Sequence, residues 1–299
     1  RYARASVTAV WTSLRLVEFI SAVALASSTV WSPRIARAVD APVKVNWTRT
    51  EEFKNGYFRP AAVIDIEASL DDSGKLTSWY FANINSGRSD TDSPYTIGKK
   101  KEEFIRSRSP MRQGSYRALA ATANNFAREA FMDEMAEAAG ADPLDFRLAH
   151  LDNRRVLDVL NRATEEFGWQ DEKAKSKPDT GVGLACGDEK GSVVAACAEV
   201  EVQGDELNVK RVCQAFECGK VLNPANLRAQ IRGCIIMGLG AVLGEEIRFD
   251  EKDLRNPRFS QYDIPRFTDV PELDIHVLDR PDADPAGAGE IPIIAVAPA

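Results

Sequence analysis

The sequence predicts an α+β fold, mixing hairpin sheets with groups of helices. Three observations carry this reading. Pairs of β-rich runs joined by turn residues occur at 62–85 and again at 193–215. Helical periods separate and follow them, at 124–167 and 225–243. Strands and helices nowhere alternate strictly, as a parallel βαβ sheet would require. The 299 residues are ample for a buried core, and length alone allows one to three domains. Residues 1–33 stay unassigned, and the orderly part divides into 34–169 and 181–299.

Taken in order, residues 34–39 read as a helix end and Pro42-Val43-Lys44-Val45-Asn46-Trp47 as a strand. Residues 62–70 and 76–85 are rich in β-branched and aromatic side chains, and Asp71-Asp72-Ser73-Gly74 between them is a hairpin turn. Residues 86–103, with Lys99, Lys100 and Lys101 together, read as a polar surface loop. Residues 124–139 form an amphipathic helix, because Phe126, Ala130, Phe131, Met135 and Ala138 recur at three- and four-residue steps. Gly140 ends it. Asp142 before Pro143 supplies an N-cap and a first-turn proline for a helix to about His150. Residues 155–167 make a third helix and 170–180 a polar linker. Strands resume at 193–202 and 207–215, joined by Gln203-Gly204-Asp205-Glu206, and Asn223-Pro224 opens a helix over 225–243.

The overall chemistry narrows the function. A net charge of −7 argues against a nucleic-acid partner, which favours a basic face. The five cysteines, Cys186, Cys197, Cys213, Cys218 and Cys234, show no disulfide or zinc spacing and are expected to be buried thiols. His150 and His276 stand far apart without ligand-type neighbours, so no metal site is expected of them. Residues 17–31 are moderately apolar but too short for a membrane span and lack a signal-peptide layout. Gly238-Leu239-Gly240-Ala241-Val242-Leu243-Gly244 is a poor dinucleotide motif: the third glycine is one place late and the preceding stretch is helical. The start at Arg1 and the end at Pro298-Ala299, inside an apolar run, lead us to expect a fragment of a longer protein.

Seven stretches carry a family resemblance. They are Pro42-Val43-Lys44-Val45-Asn46-Trp47-Thr48-Arg49, Gly56-Tyr57-Phe58-Arg59-Pro60, Gly114-Ser115-Tyr116-Arg117-Ala118-Leu119, Asp142-Pro143-Leu144-Asp145-Phe146-Arg147, Cys218-Gly219 through Asn223-Pro224, Gln230, and Gly287-Ala288-Gly289-Glu290. In this order they resemble the molybdopterin-binding subunits of the xanthine dehydrogenase and aldehyde oxidase family, in its isoquinoline 1-oxidoreductase β-subunit and nicotinate-type branch. The resemblance covers about residues 34–299, and makes 34–169 and 181–299 the first and C-terminal parts of a molybdopterin-binding region.

The resemblance implies a molybdenum hydroxylase subunit that oxidises an N-heteroaromatic ring or aldehyde carbon, with water as the oxygen source. It implies molybdopterin carrying molybdenum, in the cytosine dinucleotide form. It also implies a small [2Fe-2S] partner subunit and a flavin or cytochrome acceptor beyond it. Tyr116 and Arg117 match an aromatic–arginine pair beside the metal, Gln230 a glutamine bound to the pterin, and Glu290 the catalytic base, with Gly289 at the cofactor. The family's glycine-rich loop with a central phenylalanine and its Gly-Gln-Gly loop have no counterpart, so the isolated chain is expected to bind cofactor poorly. The rival reading is a non-catalytic homologue or scaffold that keeps the fold without a working cofactor site.

Chemistry alone leaves each site residue open. Glu290 follows small residues and precedes Ile291-Pro292, which suits an acid at a helix N-terminus; it is either a base or a plain cap. Arg117 offers fixed donors for oxygen anions, or pairs with a carboxylate at the surface. In the wider family glycines follow this arginine, where this chain has Ala118-Leu119-Ala120. Gln230, within an apolar helix, needs partners if buried, either a pterin edge or a neighbouring helix. Arg232 stands where the wider family often has an acid.

Overall fold

The computed structural model describes residues 7–10, 32–39, 41–175, 177–251 and 253–299. The α+β expectation holds: among these residues lie two four-stranded sheets with helices packed against them. The first sheet runs β1 (Val7–Val10), β2 (Val63–Leu70), β3 (Leu76–Ile84), β4 (Lys99–Ile105). The second runs β5 (Thr180–Glu189), β6 (Ser192–Gln203), β7 (Glu206–Glu217), β8 (Glu272–Leu278). Both are antiparallel through three strands and end on a strand parallel to the third. The helices are α1 (residues 32–39), α2 (Arg49–Asn55), α3 (Ala121–Ala139), α4 (Pro143–Ala149), α5 (Arg154–Phe167), α6 (Trp169–Lys175) and α7 (Pro224–Leu243).

Local chemistry explains the elements that were anticipated. Asp71 Oδ1 accepts from the Ser73 amide at 2.9 Å and the Lys75 amide at 3.0 Å, and Gly74 takes φ +82°, so the β2–β3 turn closes as a hairpin. Asp142 caps α4 through the Leu144 amide at 2.8 Å. Gly140 and Gly168, both left-handed, end α3 and α5. The five cysteines are buried and free. Among the described residues no helix is long and apolar enough to cross a membrane; the 17–31 stretch lies outside them.

Other expectations are corrected. Residues 42–47 are not a strand: they run as open chain into the Thr48–Glu51 capping box of α2, with no strand beside them among the described residues to complete a ladder. The lysine run is not a loop but the edge strand β4, whose Lys99, Lys100 and Lys101 are exposed; lysine on an edge discourages further pairing. The chain before it dips inward, burying Asp90, Thr91 and Ser93. Residues 170–175 of the supposed linker belong to α6. Three strands, β1, β5 and β8, had no anticipated counterpart.

The second sheet is covered on both faces, which positions the site. Leu184, Cys186, Val193, Ala195, Cys197, Cys213 and Ala215 join a core shared with α3, α5 and the first sheet. Ala185, Val194, Ala196, Ala198, Val212 and Phe216, alternating with them, pack on α7 and on Ile291–Val296. Gly238 makes the second contact possible, since a Cβ there would stand 3.0 Å from Val296 Cβ. The glycines of α7 therefore serve packing.

Candidate active site

The site forms where three segments meet at the rim of that second core. The first is the run into α3. Phe58 and Gln113 form a parallel bridge, and a Cβ on Gly114 would stand 2.6 Å from Tyr57 Cβ, so only glycine permits this approach. The bridge sets Arg59 against Tyr116, its guanidinium 4.6 Å from the ring centre. Arg59 also donates to Thr122 Oγ1 at 2.6 Å. Tyr116 is buried, which pushes its hydroxyl up to about 12 although Arg59 pulls the other way. After Arg117 the backbone turns left-handed at Ala118 (φ 64°) and Leu119 (φ 55°). The conformation that glycine favours is thus retained with side chains present, held by the Leu119 amide donating to Tyr116 O at 2.8 Å.

The second segment is α7, started by Asn223, whose side chain accepts from the Asn226 amide at 3.0 Å. It carries Gln230, Cys234 and Met237. The third is the loop 286–290 and the short 3-10 turn Ile291–Ile293. That turn is pinned by Asn125 Nδ2 donating to Ile294 O at 2.9 Å and Gln214 Nε2 donating to Pro292 O at 2.5 Å.

Arg117 ties the three together. Its Nε donates to Gly289 O at 2.5 Å and its Nη2 to Gln230 Oε1 at 2.8 Å, with Met237 Sδ 3.5 Å from Nη1. The Gln230 contact links residues 113 apart in sequence and the Gly289 contact residues 172 apart. Around it, Gly289 is exposed and a Cβ there would meet nothing within 4 Å. Glu290 is partly exposed, and its carboxylate forms an ion pair with Lys190. Among the described residues no group of three or more metal-ligating side chains is present.

Two readings that the sequence left open are narrowed here. Gln230 is exposed, so it is not a buried amide seeking an interhelix partner. Glu290 precedes a 3-10 turn and makes no side-chain cap, so the plain-cap reading fails. Tyr116 itself is buried, its hydroxyl 3.5 Å from Met237 O. The sequence reading missed Lys190 entirely. A signal for its turn was present in Lys190-Gly191 between two apolar runs, but nothing local tied that turn to Glu290.

Residues 112–271 and 24–151 match two family models, each described as a molybdopterin cofactor-binding domain. The B chain of nicotinate dehydrogenase from Pseudomonas putida is 27% identical over 86% of this chain and 25% of its own length. The beta chain of isoquinoline 1-oxidoreductase from Brevundimonas diminuta is 27% identical over 89% of this chain and 37% of its own. The chain thus spans well under half the length of these curated relatives. Quinoline 2-oxidoreductase of Pseudomonas putida shares the fold, with a TM-score of 0.76 at 14% identity over 88% of this chain and 61% of that one. With one of these models covering more than half of the chain, the protein belongs to the molybdopterin cofactor-binding domain family.

Proposed function

We propose that this chain forms the C-terminal part of a molybdenum hydroxylase's cofactor-binding subunit, with Glu290 as its base. The observation that carries the reading is the convergence on Arg117 of Gln230 and Gly289, beside Glu290. The residues present fit a pterin edge. The Gln230 amide nitrogen has no partner among the described residues, and the bare face of Gly289 leaves open space for a planar group. Arg117, Gln230 and Gly289 would hold the group, with Tyr116 buried next to Arg117 in the chain. The cofactor, when bound, supplies two-electron redox chemistry at molybdenum and the transfer of oxygen from water to carbon.

The chain's own residues do the rest. Glu290 Oε accepts a proton, since its side chain keeps 35% of its surface open and is not consumed by a helix cap. Arg117 presents fixed positive charge and directed donors to oxygen anions. Names of the relatives point to an N-heteroaromatic acid or ring as substrate, with an aldehyde as the wider class. The cytosine dinucleotide form of the cofactor, a small [2Fe-2S] partner subunit and a flavin or cytochrome acceptor complete the proposal. Release of CMP on hydrolysis of the extracted cofactor tests the first, and co-purification of an iron–sulfur subunit tests the second.

The deciding experiment is Glu290→Gln in the complete, cofactor-loaded protein, assayed with nicotinate, isoquinoline and an aromatic aldehyde and a dye acceptor. Turnover should fall by about 10²–10⁴, the range of a lost general base, with bound molybdenum unchanged. Retained turnover rules the role out.

A further inference from the structure

We propose that Lys190 is a positioning residue for the Glu290 carboxylate. Lys190 is the single side-chain partner of Glu290 among the described residues, and it comes from 100 residues away in sequence. It sits in the two-residue turn between β5 and β6, where Lys190 and Gly191 both take positive φ, 51° and 78°. Such a turn fixes the direction in which its first residue leaves the backbone.

The turn is fastened to the loop that carries Glu290. Ser192 Oγ donates to Gly287 O at 3.0 Å. A Cβ on Gly191 would lie 3.5 Å from Ala286 Cβ, in ordinary contact. From the other side Arg155 Nη2 donates to Gly191 O at 2.8 Å, and Glu217 holds that arginine through its Nε at 2.5 Å and Nη2 at 2.8 Å. Lysine and glutamate therefore project from backbones that are held in mutual register. Next to the turn opens a polar cleft of about 420 Å³, lined among others by Lys190, Ser192 and Arg155, so Lys190 stands at the edge of open space.

The pair contributes orientation more than stability. The two side chains keep 41% and 35% of their surface exposed. An ion pair at that exposure contributes little to folding. Glu290 has no cap hydrogen bond to restrict its rotamers, so without Lys190 the carboxylate would sample several directions. A base acts only within hydrogen-bond reach of its proton, and small misplacements are costly in rate. The inference rests on the reading of Glu290 as base.

Two measurements on the complete, cofactor-loaded protein test it. A zero-length carbodiimide joins an amine to a carboxylate as an amide, the carbodiimide leaving as its urea. It should couple Lys190 to Glu290, seen as one joined proteolytic peptide by mass spectrometry, and Glu290→Gln should remove that species. Failure to couple in the loaded protein, or coupling only in cofactor-free protein, overturns the proposal. In the second measurement Lys190→Gln should lower kcat by about tenfold to a hundredfold with KM and bound molybdenum little changed, and Lys190→Arg should restore most of it. An unchanged kcat in Lys190→Gln, with turnover lost in Glu290→Gln, overturns the positioning role alone. Retained turnover in Glu290→Gln overturns the reading of the base instead.

Discussion

Arg128 and Arg147, on α3 and α4, and Arg117, just before α3, are built into opposite surroundings. Arg128 is fully buried, and its Nη2 meets Asp90 at 2.8 and 2.9 Å. Arg147 is fully buried too, between Glu129 at 3.0 Å and Asp133 at 2.6 Å. Glu129 also accepts from the Tyr95 hydroxyl at 2.9 Å and the Cys186 amide at 3.0 Å. Arg117 is half-buried and meets a carbonyl, an amide oxygen and a thioether, with no carboxylate among its hydrogen-bond partners. Where charge holds the fold, acids neutralise it in place. At Arg117, which we propose faces the cofactor, neutral acceptors hold the guanidinium and leave its field intact.

The difference can be broken from either side. The largest expected effect is in the buried network: Glu129→Ala should destabilise by about 3–5 kcal/mol, because buried Arg147 is then balanced by Asp133 alone and the Tyr95 hydroxyl and Cys186 amide lose their acceptor. Urea unfolding at neutral pH measures it, and a loss below about 1 kcal/mol would place the network outside the cooperative core. Arg117→Gln should leave that midpoint nearly unchanged while lowering cofactor affinity by about tenfold to a hundredfold, the worth of hydrogen bonds to a charged group. Bound molybdenum after dialysis reports it, and full retention would remove Arg117 from the site.

Glu217 sharpens the comparison in a third, intermediate setting. Burial raises its carboxyl, but Arg155, the Gly219 amide and Arg280 outweigh burial and hold it below the ordinary value. A carboxyl lowered in the folded state binds fewer protons there than when unfolded. Its contribution is therefore present above the unfolded carboxylate value and is lost as pH falls through the folded one. Glu217→Gln should cost about 1–3 kcal/mol near neutrality, and less as the solution is made acid. Unfolding midpoints of both forms between neutral and acid pH check the convergence; parallel curves would contradict the sign.

Legibility in the sequence followed the range of the interactions. The β2–β3 hairpin, α3, α4, α5 and α7 were readable because turn residues, caps and apolar spacing act over a few residues. Strand β5 was not: Gly181, Gly183 and Gly187 interrupt it, and both of its faces are covered, so no alternation of polarity survives. Residues 42–47 had the composition of a strand without a neighbour to pair with among the described residues. The lysines of β4 looked like solvent-facing loop because an edge strand also faces solvent. In the site, Arg117, Gln230 and Glu290 were named through ordered motifs. That Gln230 is exposed and that Glu290 caps nothing were properties of packing, invisible in the local pattern.

By itself the sequence determined the α+β class, the main hairpins and helices, and the ordered motifs of a molybdopterin-binding chain. Those depend on short-range geometry and on residue types that stand in fixed order. The tertiary structure decided which of these residues meet. Arg117 reaches Gly289, and Lys190 reaches Glu290, because the second sheet is packed between α5 on one face and α7 with Ile291–Val296 on the other. Contacts across 172 and 100 residues arise from that burial and have no local signal in the chain.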